Sequence, residues 1–150
     1  MKKIPKKPEL SLAVQYGCDG DGLPVRAQVR RWVIAAQEGP MRVTIRFVDA
    51  REGRTLNRDY RNKDYATNVL TFVYETAPAA SGDLVVCLPV VRREAKAQKK
   101  PLKAHMAHMI VHGMLHLQAY DHETSEADAE QMESRERVIL ARFGIADPYA

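Results

Sequence analysis

Apolar residues first alternate along the chain and then recur at longer intervals, and the change of period marks the elements. From Glu9 to Gln15, Leu10, Leu12 and Val14 share one face, the two-residue period of a half-buried strand. The stretch Cys18-Asp-Gly-Asp-Gly-Leu-Pro24 is loop chemistry. From Val25 to Gln37 the positions Val25, Val29, Trp32, Val33 and Ala36 recur at helical spacing, and Gly39-Pro40 ends that helix. Met41 to Val48 alternates again, with Val43, Ile45 and Phe47 facing one way and Arg42, Thr44 and Arg46 the other, which predicts a strand with one solvated face. Asp49 can cap a short helix running to about Arg61, with Leu56 and Tyr60 as its inward pair. A polar loop over 62–68 leads to Val69–Tyr74, rich in β-formers. After the loop Glu75–Ser81, Gly82–Leu88 reads as a buried strand.

Beyond Pro89 the period is helical almost throughout. The pattern predicts one helix over about 89–99, a second over 101–118 with Pro101 at its first position, and a turn over 119–124. Ser125 followed by Asp128 resembles a capping box and opens a last helix to about Phe143, stopped by Gly144. The order strand, helix, strand, helix, two strands, three helices predicts an α+β fold: a small mixed sheet of about four strands covered by about five helices.

Composition narrows this picture without redirecting it. With 150 residues and 45% hydrophobic content the chain suits one compact domain over 9–150. Residues 1–8, with their four lysines and two prolines, read as a flexible basic tail. The net charge of +4 permits a polyanion partner but does not require one. Cys18 and Cys87 lie far apart and outside any CxxC pair, so no disulfide framework is implied. The basic N-terminus is followed by no apolar core of a secretory signal, and no apolar run approaches the length of a membrane helix; a cytoplasmic protein is expected.

The candidate chemistry lies in the last third of the chain. All five histidines fall between positions 105 and 122. His105, His108, His112 and His116 form one stripe on a helix, which by itself suits a half-buried polar face. His112 and His116, at i and i+4, can also reach one metal ion. His108 and His116 are about 12 Å apart along the axis at about 1.5 Å per residue, so a third ligand must come from chain that has turned back. His122 is placed to do this, six residues past His116. Three neutral imidazoles with an open fourth position describe a catalytic zinc site, one ion per chain, after the penultimate helix. Gly113 stands where the HExxH metalloproteases carry their general-base Glu, so that proteolytic route lacks its base. A metal there can instead activate water or act on a phosphoryl oxygen. Asp121, beside His122, can orient a ligand or accept a proton, or is a plain turn residue. Met109, Met114 and Leu117 are expected in the core.

"HGMLHLQAYDH", 112–122, closely resembles the HGxLHLxGyDH signature of the YbeY-type endoribonucleases, the rRNA maturation factors. "LNRDYRNKDYATNVLTF", 56–72, "GDLVVCL", 82–88, and "EQMESRERVIL", 130–140, resemble further family segments in the same order, so the likeness covers about residues 40–143. The resemblance implies a zinc-dependent, single-strand-directed endoribonuclease. Such an enzyme acts in ribosomal RNA processing, especially at the 3′ end of the small-subunit rRNA, and in ribosome quality control. Implied partners are precursor rRNA and the small ribosomal subunit, with ribosomal proteins or a GTPase beside them. The implied metal ligands are His112, His116 and His122, and a functionally important arginine corresponds to Arg61. The chain departs from the family pattern at Ala119 (usually Gly), Ala66 (usually Pro), Asn68 (commonly Asp) and Thr71 (usually Ser). If position 119 needs a positive φ, Ala is strained there by roughly 1 kcal/mol.

RNA cleavage needs cations for the phosphate as well as an activated nucleophile, for which a metal-activated water and the RNA 2′-OH both remain open. Arg61, near Arg58 and Lys63, can hold a phosphate bidentately, or the three can be an ordinary wet surface. Arg92, Arg93, Lys96, Lys99, Lys100 and Lys103 form a second basic zone that suits an RNA backbone or plain solvent equally. Tyr60, Tyr65 and Tyr120 can stack on unpaired bases or pack at the core edge. Two other classes stay open: a metal-dependent hydrolase of another substrate such as a peptide, and a non-catalytic ribosome assembly factor with structural zinc.

Overall fold

The structure, a computed structural model, describes residues 7–120 and 123–150. Four strands and five helices follow one another as β1 (Leu10–Tyr16), α1 (Arg26–Ala36), β2 (Met41–Val48), α2 (Ala50–Arg61), β3 (Val69–Glu75), β4 (Ala80–Cys87), α3 (Leu88–Ala97), α4 (Leu102–Leu117) and α5 (Glu126–Ala141). The sheet order is β1-β2-β4-β3. β1 and β4 both run parallel to β2, and β3 pairs antiparallel with β4 at the edge. The expected α+β class and mixed sheet are therefore present. Among the described residues no helix is long and apolar enough to cross a membrane.

The strand periodicities decide which helix lies on which face. Val43, Ile45 and Phe47 of β2, with Leu84 and Val86 of β4, meet α1, α4 and α5 in the main core. Val48, Leu70, Val85 and Cys87 point to the opposite face, where Val90 and the half-buried Leu56 and Phe72 cover them. Arg42, Thr44 and Arg46 alternate with the core residues of β2 as expected, and Arg46 is held by Glu52 of α2 at 2.7 Å. α4 is enclosed by the sheet, α1, α3 and α5, so it is apolar nearly all round. Two glycines let it lie close to the sheet. A Cβ on Gly113 would come within 2.8 Å of the Leu84 side chain, and one on Gly82 within 2.5 Å of Leu117.

Several boundaries and faces differ from the sequence reading. β4 starts at Ala80, because its pairing with β2 extends to Met41↔Ala80. Val25 is the exposed N-cap of α1 and not part of its buried face, which is Val29, Trp32, Val33 and Ala36. Tyr60 is not an inward residue of α2: it is 70% exposed, with its ring edge-on to Phe72 at 5.4 Å. The buried residues of α2 are Gly53 and Asn57, and a Cβ at 53 would lie 3.2 Å from the Cys87 sulfur. At the start of α5 the Ser125 hydroxyl accepts from the Asp128 N–H at 3.0 Å. The reciprocal half of a capping box is not made, as the Asp128 carboxylate accepts from the Thr124 hydroxyl instead.

Candidate functional site

The histidine stripe of α4 divides by depth. His105 and His108 are buried, while His112 and His116, nearer the C-terminal end, are half-buried. The His112 and His116 rings lie 4.7 Å apart at 82°. Both open onto a cleft of about 740 Å³ between the end of α4 and the edge strand β3. Val69, Thr71 and Val73 of β3 form one wall, Ala119, Tyr120 and Glu123 another, and Arg61 stands at the rim. Arg61 is the last residue of α2. Asn62 ends that helix in the left-handed region at φ 58°, and its N–H returns to Arg58 O. A residue 51 positions before His112 is thus carried to the same cleft. His122 and Asp121 lie outside the described residues.

α4 stops where it does because of a Schellman turn. Ala119 N–H donates to His116 O at 3.1 Å, Tyr120 N–H to Leu115 O at 3.0 Å, and Ala119 adopts φ 72°. Position 119 does take a positive φ, and Ala adopts it at a cost of about 1 kcal/mol. The turn redirects the chain just after His116.

A buried carboxylate sets the orientation of His112. Glu136 of α5 is fully buried. Its Oε1 lies 2.5 Å from His112 Nδ1. Its Oε2 accepts from the Tyr149 hydroxyl and lies 3.4 Å from His108 Nε2. Burial alone would raise the Glu136 pKa, but the hydrogen bonds from His108, His112 and Tyr149 outweigh it, and the carboxyl is pulled down to about 2. With Nδ1 engaged by Glu136, Nε2 is the His112 nitrogen suited to ligate a metal. This carboxylate–histidine pairing is the usual support of a ligating imidazole. Higher up α4, His105 Nε2 meets Glu94 Oε1 at 2.9 Å. Glu94 also accepts from the Asn68 amide at 3.2 Å. That contact explains Asn68: an Asp there would set two carboxylates against each other.

Two donor sets could hold an ion. His108, His112 and Glu136 offer ligand atoms within 4.8 Å of one another. His112 and His116 offer a second set on the cleft side. Ligand atoms around a tetrahedral zinc with bonds of about 2.0 Å are separated by about 3.3 Å. The 2.5 Å between His112 Nδ1 and Glu136 Oε1 is a hydrogen-bond distance. The buried trio as it stands is held by a hydrogen bond, and the cleft-facing imidazoles of His112 and His116 are a second candidate donor pair.

The remaining candidates separate in the same way. Tyr120 lines the cleft and donates to Glu38 at 2.9 Å. Tyr60 and Tyr65 are exposed, and neither they nor Arg58 and Lys63 line it. Arg58 pairs with its neighbour Asp59 at 3.2 Å. The basic zone is broken by the end of α3 at Ala97 and by Lys99 at φ 55°, so Lys103 does not continue the face of Arg92 and Lys96. Position 113 faces Leu84, away from the cleft. Sequence reasoning missed Glu136 and Tyr149 as site residues. The signal for Glu136 was present: it shares a helix face with the buried Met132, Ile139 and Leu140, where an unpaired carboxylate is unusual. Tyr149 carried no such signal.

Comparison with known proteins places the chain in a family. The family model described as endoribonuclease YbeY matches residues 25–144. A protein of Thiobacillus denitrificans named endoribonuclease YbeY is 60% identical over 144 residues, covering 95% of this chain and 97% of the relative. One of the same name from Aromatoleum aromaticum is 58% identical over 144 residues, covering 94% and 93%. The solution structure of a Thermotoga maritima protein shares the fold, with a TM-score of 0.63 at 24% identity over 86% of each chain. With a family match over most of its length and relatives this similar, the chain belongs to the endoribonuclease YbeY family.

Proposed function

We propose that this protein is a zinc-dependent endoribonuclease that cleaves single-stranded RNA in the cytoplasm. Its substrate is precursor ribosomal RNA on the small subunit, at the 3′ end, and it serves ribosome quality control there. The observation that carries the reading is that Arg61 and the His112–His116 pair open onto one cleft. His112 and His116 hold the ion, and His122 completes the set. When bound, the zinc supplies Lewis acidity toward the phosphodiester. Arg61 binds the phosphate and offsets charge as it develops. Glu136 keeps the His112 ring turned so that Nε2 faces the cleft. Tyr120 offers a ring to an unpaired base, and Asp121 assists as orienting group or proton acceptor. A protease of the HExxH type draws no support, because a side chain at position 113 would press on Leu84.

The decisive measurement is metal content by elemental analysis beside cleavage of an unstructured RNA. Wild type is expected to carry about one zinc per chain. His112→Ala and His116→Ala should lose both metal and cleavage. Undiminished cleavage by metal-free His116→Ala would overturn the catalytic assignment. Co-sedimentation with small subunits that survives in these variants would place ribosome binding elsewhere than at the metal.

A further inference from the structure

The family match ends at residue 144, yet the last residues of the chain reach back into the site. After α5 the segment 145–150 is fastened at several points. Ile145 N–H donates to Leu140 O at 3.1 Å, and Ile145 packs on the main core. Lys100 Nζ donates to Pro148 O at 3.1 Å. Arg137 Nε pairs with Asp147 Oδ2 at 2.9 Å, while Asp147 Oδ1 accepts from Tyr149 N–H at 2.8 Å. The Arg137 guanidinium also lies over the Tyr149 ring at 5.5 Å. These contacts leave the Tyr149 ring partly exposed but turn its hydroxyl inward, onto Oε2 of the fully buried Glu136.

We propose that Tyr149 is a positioning residue for the metal site: its hydroxyl holds one oxygen of Glu136, so that the other stays aimed at His112 Nδ1. The inference rests on His112 being a metal ligand. Glu136 has competing donors. His108 Nε2 lies 3.4 Å from Oε2 and 3.3 Å from the Tyr149 hydroxyl, and its ring meets the Tyr149 ring edge-on at 5.5 Å. With the hydroxyl in place, Oε2 is saturated between Tyr149 and His108, and Oε1 belongs to His112. Without it, the carboxylate turns toward His108, and the His112 ring loses the partner that fixes its tautomer and its angle to the cleft. This C-terminal strap, residues 145–150, thus acts on His112 through two hydrogen bonds, from Tyr149 to Glu136 and between Glu136 and His112.

The test compares Tyr149→Phe and Tyr149→Ala in the full-length protein. Phe keeps the ring, its edge contact with His108 and its contact with Arg137, and removes only the hydroxyl. If positioning is the role, both variants should weaken zinc binding, measured by competition with a chromophoric chelator, by about tenfold. In the zinc-free protein the two ¹⁵N resonances of His112 should move toward a common value, because the fixed tautomer is lost. If the ring merely packs, Tyr149→Phe will match wild type in both readouts while Tyr149→Ala does not, and the proposal falls. Wild-type zinc uptake that His112→Ala fails to reduce would refute the ligand assignment itself. The imidazole spectrum of Tyr149→Phe would then still decide whether the hydroxyl orients His112.

Discussion

Ala119 shows how much a single side chain can contribute to this site. It closes α4 at φ 72°, a conformation in which Cβ crowds the following carbonyl. Ala119→Gly should raise stability by up to about 1 kcal/mol, the relief of strain being partly offset by the freer unfolded chain. Urea denaturation checks this, and a lower midpoint would mean that the strain is smaller than the entropy gained by the unfolded chain. Gly113 has the opposite character. Its φ is ordinary, and its value lies in the missing Cβ, which admits Leu84. The sequence comparison with HExxH rightly marked position 113, but the reason is packing: the helix turns that position toward β4. Asn68 is likewise explained by its neighbour, since its amide supplies the donors that the Glu94 carboxylate accepts.

At the scale of elements, α4 and the C-terminal strap divide the work. α4 sets the spacing of the imidazoles, and the strap, with α5, sets how one of them is held. The strap should respond to acid. The Tyr149 backbone N–H and the Arg137 guanidinium stabilise the charged Asp147 carboxylate, which lies below its ordinary 3.8. A depressed folded pKa means that this anchor is complete above the unfolded value. It is lost as pH falls below 3.8 through the lower folded one. Amide protection of residues 145–150, taken relative to intrinsic exchange at each pH, should therefore fall on acidification below about pH 4, ahead of the core strands. In Asp147→Asn, which cannot ionise, that step should be absent. Protection of the strap amides that stays constant with pH in wild type would remove Asp147 as its anchor.

Across the whole molecule, the cleft exists because three distant segments converge. β3 lies at the sheet edge beside the end of α4, α2 delivers Arg61 to its rim, and α1 and α5 press α4 against the sheet from behind. A guanidinium at this rim can act on a substrate held at the histidines without being needed for their metal. Arg61→Ala is expected to lower the cleavage rate by about a hundredfold or more, with Arg61→Lys recovering only part of it. Zinc content and thermal midpoint should stay at wild-type values, because Arg61 is exposed. A rate loss accompanied by loss of metal would assign Arg61 to the metal support and not to phosphate.

What the sequence determined by itself is local. Periods of two and of 3.6 residues located every strand and helix to within a few positions, because both are backbone repeats written into side-chain polarity. The i, i+4 spacing paired His112 with His116 for the same reason. What the tertiary structure decided is depth and company. His105, His108, His112 and His116 share one helical stripe, yet two are buried against carboxylates and two border the cleft. That division depends on where α5, α3 and β3 happen to pass. Glu136 and Tyr149 belong to the site through contacts spanning 24 and 13 residues. Burial and hydrogen-bond pairing at such range are properties of packed surfaces, and no window of sequence contains both surfaces.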